Sequence, residues 1–221
     1  MCITFYIPQK VEKSKIGELI TAYAKFKSNQ ALGKISSGKK TRIIGIPKLD
    51  DANQAGRSQS EKCTLILTEG DSAKSFVISG LSVIGREYYG VFPLRGKMLN
   101  VRDASNKQIM ANEEIKNIIT IMGLKMGGKY TKGNLHELRY GRLMIAADQD
   151  TGGTHIFSLV ALNLFNAFWP SLLEIPGFIS RFITPIVIAR TGTEMIPFFT
   201  LPEFEKWKEK TMGVRDIIHD I

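Results

Sequence analysis

Short apolar runs that each end at charged residues or glycine are the clearest pattern in this chain. The first is Thr64-Leu65-Ile66-Leu67, which stops at Glu69-Gly70-Asp71-Ser72. The second is Tyr89 to Leu94, and the third is Arg142 to Ala147, which ends in Asp148-Gln149-Asp150. Runs of this length, mostly apolar and in part β-branched, predict buried strands.

Between these runs, apolar residues recur at helical spacing. One helical face is predicted after the first run, a second helix is predicted between an Asn cap and a terminal glycine, and a third between a Thr cap and a Trp-Pro pair. The residues concerned are Phe76, Val77, Gly80 and Leu81; then Asn112 with Ile115, Ile118, Ile119 and Met122 before Gly123; then Thr154 to Trp169-Pro170. The stretch from Gly127-Gly128 to Asn134 is predicted to be a loop.

Towards the C-terminus, Phe182 to Ala189 and Met195 to Thr200 are predicted to be strands, and Glu203 to Lys210 a polar surface helix. Near the N-terminus, Ser14 is suited to cap a helix whose apolar residues include Ile16, Leu19 and Phe26. The stretch from Leu49 to Lys62 is predicted to be irregular and exposed.

Alternation of strands and helices predicts an α/β fold with a parallel sheet covered on both faces. Binding sites in such sheets lie at the carboxyl ends of the strands. Both acidic clusters, Glu69-Gly70-Asp71 and Asp148-Gln149-Asp150, fall at such ends. We therefore expect them to meet at one edge of the sheet.

The acidic residues at this edge have the chemistry of a metal site. Asp148 and Asp150 are two residues apart, so in extended chain their carboxylates point the same way and repel each other unless a cation lies between them. Oxygen ligands select Mg²⁺, Ca²⁺ or Mn²⁺, and Glu69 at a neighbouring strand end can complete the set. The alternative is that Asp71 and Asp150 only begin helices, where acidic residues are favourable.

Composition adds a second expectation about partners. The 221 residues carry 30 Lys and Arg against 21 Asp and Glu, a net charge of +9, which favours an acidic partner such as a nucleic acid. Nine of the basic residues precede residue 43. A solubilising surface is the alternative explanation.

The two cysteines and the hydropathy exclude other classes. Cys2 and Cys63 are far apart, which argues against a disulfide framework or a zinc site and favours an intracellular protein. No apolar run reaches the length of a membrane span, and Met1 to Pro8 has no basic leader typical of a signal peptide. We therefore expect no membrane partner.

Basic residues flank the second predicted strand. Arg86, Arg95, Lys97 and Arg102 are placed to contact phosphates, and His155 lies at a helix start where it can touch a phosphate or act as a cap. A solvated basic face is the simpler interpretation of the same residues.

Several blocks in order resemble one family. Leu65 to Lys74 resembles the acidic signature that opens the TOPRIM domain of type IIA topoisomerases, and Tyr89 to Arg102 resembles the following block. Asp148 to Ile156 is similar to the second acidic motif of that domain. Gly45 to Asn53 and Trp169 to Leu173 also resemble eukaryotic topoisomerase II, so that the resemblance extends from about Lys15 to about Lys210.

The resemblance implies a Rossmann-like TOPRIM fold and a role for each acid. Glu69 and Asp148 are expected to hold the catalytic Mg²⁺ (which Mn²⁺ or Ca²⁺ can replace), Asp150 to help bind a second metal, and Glu69 to act as acid or base on the leaving 3′ oxygen. Double-stranded DNA is the implied partner, with Arg95, Lys97, Asn100, Arg102 and His155 as the implied contacts. The family enzyme is a nuclear homodimer that passes one duplex through another, using ATP.

The implied domain organisation has four parts. Residues 1–44 are expected to be the end of a transducer-like helical arm, 45–62 a linker, 63–190 the TOPRIM domain and 191–221 an extension towards a winged-helix domain. We expect the ATP-binding domain and the tyrosine nucleophile to lie outside these residues, because none of the six tyrosines stands in a recognisable nucleophile context. The chain alone is therefore expected not to relax DNA.

Three departures from the family pattern bear on these expectations. Gly152 stands where a third acid is usual, which is expected to weaken the second metal more than the first. Phe157-Ser158 replaces a usual Lys-Gly, and one extra residue precedes Trp169. A non-catalytic DNA-binding or partner-binding relative is therefore a second hypothesis, and a different TOPRIM enzyme, such as a primase or nuclease, is a third.

Overall fold

The computed structural model describes residue 33 and residues 38–95, 98–146, 158–182, 185–191, 194–211 and 218–220. The strands are β1 (Thr64–Glu69), β2 (Tyr89–Leu94), β3 (Arg142–Ala146), β4 (Ile179–Phe182), β5 (Val187–Thr191), β6 (Glu194–Phe198) and β7 (Ile218–Asp220). The α-helices are α1 (Gly70–Ile84), α2 (Asn106–Ala111), α3 (Glu113–Met122), α4 (Asn166–Phe168), α5 (Pro170–Leu173) and α6 (Leu201–Thr211). Short 3₁₀-helices cover Ser60–Lys62 and Lys132–Glu137, and a π-helix covers Ser158–Phe165.

The first four strands form a parallel sheet in the order β2-β1-β3-β4. The first of the described strands, β1, is thus an inner strand, with β2 on one side and β3 on the other. The predicted α/β class with a parallel TOPRIM-type sheet is confirmed. Strand β2 has its predicted bounds, β3 ends one residue earlier than predicted, and β1 continues two residues beyond its predicted end at Leu67.

Successive side chains of the strands point to opposite faces of the sheet and contribute to two apolar cores. Leu65, Leu67 and Ile145 point to the face covered by α2, α3 and the helical segment 158–168, where the larger core lies. Ile66 and Ala146 point to the opposite face, where α1 supplies Leu81 and a smaller core forms. The sheet is therefore covered on both faces, but much less completely on the side of α1.

Helix α3 forms as its sequence predicts. The side chain of Asn112 accepts a hydrogen bond from the backbone N–H of Ile115 at 2.9 Å, and Gly123 ends the helix in the left-handed conformation. Ile115, Ile118, Ile119 and Met122 are buried. Helix α1 differs from expectation, because Phe76 on its predicted apolar face is 63% exposed.

The region after β4 corrects one prediction. Phe182 to Ala189 is not one strand: Phe182 ends β4 in the parallel sheet, whereas Val187 begins β5. Strand β5 pairs antiparallel with β6 and β7 in a separate three-stranded sheet. Pro185, which has no backbone N–H to give to a ladder, lies between the two strands.

Two further helices differ from their predicted form. Helix α6 is mostly exposed but not wholly polar, because Phe204 and Trp207 pack against Phe198 of β6. The helix before Trp169 is π-helical over Ser158–Phe165. The predicted Ser14 helix and the Thr154 cap lie outside the described residues.

Candidate metal centre

The predicted acid at the end of β1 lies at the carboxyl edge of the parallel sheet. Glu69 is the last residue of β1 and its only exposed one, and it pairs in register with Leu94 at the end of β2. On the other side, Thr68 pairs with Ala146, the last residue of β3. Arg95, which follows β2, and Ala146 at the end of β3 therefore lie at the same end of the sheet as Glu69.

A glycine turns the chain immediately after this acid. Gly70 has a φ of +79°, a left-handed conformation that side chains other than glycine rarely adopt, and it is also the first residue of α1. Strand and helix are thus joined without an intervening loop. The backbone on both sides of Glu69 belongs to regular structure, which restricts the direction of its side chain.

The other two predicted metal ligands, Asp148 and Asp150, lie outside the described residues, as do Gly152 and Phe157. Among the residues that the structure describes, no group of three His, Cys, Asp or Glu side chains is arranged to hold a metal ion. What the structure establishes is the placement of Glu69 and of the β3 end that leads towards Asp148.

Two of the predicted DNA-contacting residues, Arg95 and Arg102, follow β2 in the chain. Arg95 follows β2 directly, one residue beyond the partner of Glu69, and Arg102 lies in the next turn. Both side chains are exposed. Lys97 and His155 lie outside the described residues.

Asn100 is engaged within the protein. Its side-chain oxygen accepts hydrogen bonds from the amide of Asn163 and, at 3.2 Å, from the backbone N–H of Arg102. Its amide donates to Asp103 at 2.5 Å. Asn163, on the π-helix, is buried and also accepts from the backbone N–H of Val101 at 2.9 Å. These contacts shape the loop that presents Arg102, and no local pattern in the sequence indicated Asn163.

Asp71, the other acid of the first cluster, forms an ion pair within the protein. Lys48 donates a hydrogen bond to its carboxylate, and this contact, together with nearby Lys74 and Arg95, holds the pKa of Asp71 below its ordinary value. Asp71 is therefore ionised and paired with a cation that sequence reasoning had not connected with it. The spacing of the two residues gives no signal for this pair.

A polar cleft of about 340 Å³ lies beside this pair, lined in part by Lys48, Arg95, Glu114 and Lys116. The backbone N–H of Arg95 donates to the Glu114 carboxylate, but burial dominates and raises the pKa of that group. One oxygen of Glu114 is buried without a hydrogen-bond partner. The cleft therefore combines three cations with a carboxyl group whose pKa is raised by burial.

Within the described parts of the chain, no helix is both long and apolar enough to span a membrane.

Comparison with known proteins identifies the family of this sheet. The family model "Toprim domain" matches residues 64–179, which is just over half of the chain. DNA topoisomerase 2 of Drosophila melanogaster is 54% identical over 202 residues, and DNA topoisomerase 2-alpha of Gallus gallus is 52% identical over 216 residues. The matches cover 91% and 95% of this chain, but only 14% of each relative's length.

A solved structure gives the same result. The topoisomerase II DNA-binding, cleavage and re-ligation domain of Plasmodium falciparum superimposes with a TM-score of 0.72 at 57% identity, covering 78% of this chain and 23% of the other. The predicted resemblance is thus confirmed by sequence and by structure. The chain belongs to the Toprim family, in the form found in the eukaryotic-type DNA topoisomerase II isomerases.

Proposed function

We propose that this chain is the metal-binding core of an ATP-dependent type II DNA topoisomerase, which changes DNA topology by transient double-strand breakage and strand passage. The observation that carries the proposal is the pairing of β1 with β3, in parallel and in register, up to Thr68 and Ala146. Adjacent strands are about 4.8 Å apart, so the last residue of β3 lies beside the end of β1. Asp148 is the second residue after Ala146.

In this proposal Glu69 and Asp148 hold the catalytic Mg²⁺, and Asp150 contributes to a second metal. The donor chemistry fits, because all three are carboxylates and Glu69 ends its strand on an exposed edge. When bound, the metal supplies charge stabilisation to a phosphodiester oxygen. Glu69 gives or takes the proton of the leaving 3′ oxygen.

The basic residues around this edge are proposed to bind the DNA backbone. Arg95 follows β2 at this edge and Arg102 is exposed in the loop that comes next, which also holds Asn100. We assign the same role to Lys97 and His155. Charge contacts to phosphate position a duplex without reading its sequence. The net charge of +9 supports such a partner.

The remaining parts of the reaction are proposed by family. The chain spans about 14% of the length of its relatives. The tyrosine nucleophile and the ATP site are assigned to other parts of the full-length enzyme, which acts as a homodimer in the nucleus.

A thermal-shift experiment with Mg²⁺ tests the site. At ten times the dissociation constant, one bound ion stabilises the folded state by about 1.4 kcal/mol, which raises the Tm by about 3–6 °C in a chain of this size. Glu69→Gln and Asp148→Asn are expected to abolish the shift. Glu61→Gln is the matched control, because Glu61 is exposed at the opposite end of β1.

A wild-type Tm that does not respond to millimolar Mg²⁺ would refute the metal-binding function. If duplex DNA still bound in that case, with steep salt dependence and without metal, the non-catalytic DNA-binding function would replace it.

A further inference from the structure

Residues 45–55 form a segment, here called the strap, that closes the free edge of the parallel sheet. Asp50 and Val91 of β2 exchange two backbone hydrogen bonds, at 2.9 and 2.8 Å. The backbone N–H groups of Asn53 and Gln54 donate to the turn between α1 and β2, at 3.1 and 3.0 Å. The strap therefore covers an edge strand that would otherwise present unpaired backbone groups.

Charged contacts join the strap to the beginning of α1. The ammonium of Lys74 lies 2.5 Å from the carboxylate of Asp50 and donates to the carbonyl of Lys48 at 2.8 Å. Lys48 in turn pairs with Asp71. The side chain of Lys74 is only 19% exposed, whereas that of Asp71 is 68% exposed. The Lys74–Asp50 pair is thus better shielded from water than the Lys48–Asp71 pair, and such shielding strengthens an ion pair.

The position of these contacts gives them a consequence for the sheet edge. Asp71 and Lys74 lie in the first two turns of α1, which begins directly after Glu69. Because strand and helix are joined without a loop, a shift or rotation of the first helical turn also moves the backbone of Glu69. The smaller core on this face holds the middle of α1 through Val77 and Leu81, so the strap is what holds its beginning.

We propose that Lys74 is a positioning residue: by fastening the strap to the start of α1, it keeps Glu69 oriented for metal binding. This inference rests on the proposed function of Glu69 as a metal ligand. The inference gives a shared role to the Gly45–Asn53 block and to Lys74. Both belong to sequence blocks that resemble the family, and neither had been assigned a function. Lys74 itself does not touch the metal or the DNA in this scheme.

The test is a titration of the 221-residue chain with Mn²⁺, followed by electron paramagnetic resonance at a temperature where every variant is folded. Lys74→Met is expected to weaken Mn²⁺ binding about tenfold, the lower end of what losing a supporting group costs a metal site. Lys74→Arg keeps the charge and the donors and is expected to restore most of the affinity. Lys116→Met, on α3 in the wall of the cleft that Lys48 also lines, is the matched control and is expected to bind as the wild type does.

The outcomes separate this inference from the function on which it rests. If Glu69→Gln loses Mn²⁺ binding but Lys74→Met binds as tightly as the wild type, the positioning role alone is overturned. If the wild type itself does not bind Mn²⁺, both proposals are overturned. If Lys74→Met does not fold, Asp50→Asn replaces it, because it removes the same ion pair and leaves the backbone bonds to Val91; unchanged affinity in that variant overturns the inference.

Discussion

Replacing Tyr140 by phenylalanine removes a single hydroxyl group at a fully buried position. That hydroxyl donates to the Asp51 carboxylate at 2.5 Å and accepts the backbone N–H of Ala52 at 2.9 Å. Arg139, also fully buried, donates to the other oxygen of Asp51 at 2.5 Å. The hydroxyl is therefore part of the anchor that joins the strap to the segment before β3.

The magnitude follows from these contacts. The variant leaves a buried N–H group unpaired, which costs about 1–3 kcal/mol, and it loses a hydrogen bond to a charged group. The two losses share one hydroxyl, so we expect the free energy of unfolding to fall by about 3 kcal/mol in total. In a chain of this size the Tm is expected to fall by about 6–12 °C.

Urea denaturation followed by far-ultraviolet circular dichroism measures this loss, and Tyr88→Phe is the matched control. The hydroxyl of Tyr88 donates to the side chain of Gln59 at 2.7 Å in a half-buried position, so its removal is expected to cost about 1 kcal/mol or less. If Tyr140→Phe is no more destabilising than Tyr88→Phe, the anchoring role of the Asp51 contacts is wrong.

The same tyrosine predicts the response to alkaline pH. Burial, and then the charge of Asp51, raise the pKa of Tyr140 above its ordinary value. The folded protein thus keeps the phenol protonated while the unfolded chain ionises near pH 10. The stability that this difference in pKa gives the folded state is present below pH 10 and is lost as the pH rises further. Between pH 8.5 and 10.5 the Tyr140→Phe variant should therefore lose less stability than the wild type; an equal loss would contradict this account.

Two other positions give simple tests. Cys63 is fully buried, and burial is the main cause that raises its pKa to about 11. In a Cys2→Ser background we therefore expect the Cys63 thiol to react with a disulfide reagent at pH 8 only when the protein unfolds. Fast reaction in native buffer would contradict the burial. Asn163→Leu removes the acceptor of the buried Val101 N–H and is expected to cost about 2 kcal/mol in urea denaturation, whereas an unchanged midpoint would show that this bond does not hold the loop.

The elements that could be predicted from the sequence are those whose signals are local. Strands β1, β2 and β3 are short apolar runs with clear ends, and α3 carries both its cap and its terminal glycine within one stretch of sequence. The meeting of Glu69 with the end of β3 also followed from a general rule, because parallel strands share one carboxyl edge.

What could not be predicted depends on distant partners. The stretch from Leu49 to Gln59 is irregular, as expected, whereas Ser60–Lys62 forms a short 3₁₀-helix. The prediction that the whole stretch is exposed is wrong for Ala52, Ala55 and Ser60, which are buried. The burial of this stretch depends on the hydrogen bonds that Arg139 and Tyr140 donate to Asp51, and no local sequence pattern predicts these contacts. Similarly, the apolar run from Phe182 to Ala189 carries no sign of which sheet each half joins.

Packing explains one small residue that the sequence left without a role. A Cβ atom at Gly90 would lie 2.1 Å from the hydroxyl oxygen of Tyr140. Any larger residue at this position of β2 would therefore push out the hydroxyl that holds Asp51 and Ala52.

The inner position of β1 has a consequence for the order of assembly. The chain between β1 and β2 contains only one helix, whereas the chain between β1 and β3 contains α1, β2, α2, α3 and a long connection. Closing a larger loop costs more entropy and slows folding. The junction between Glu69 and the β3 end therefore completes late. Under the proposed function, an ion bound there would show that the two strands most distant in sequence have already paired.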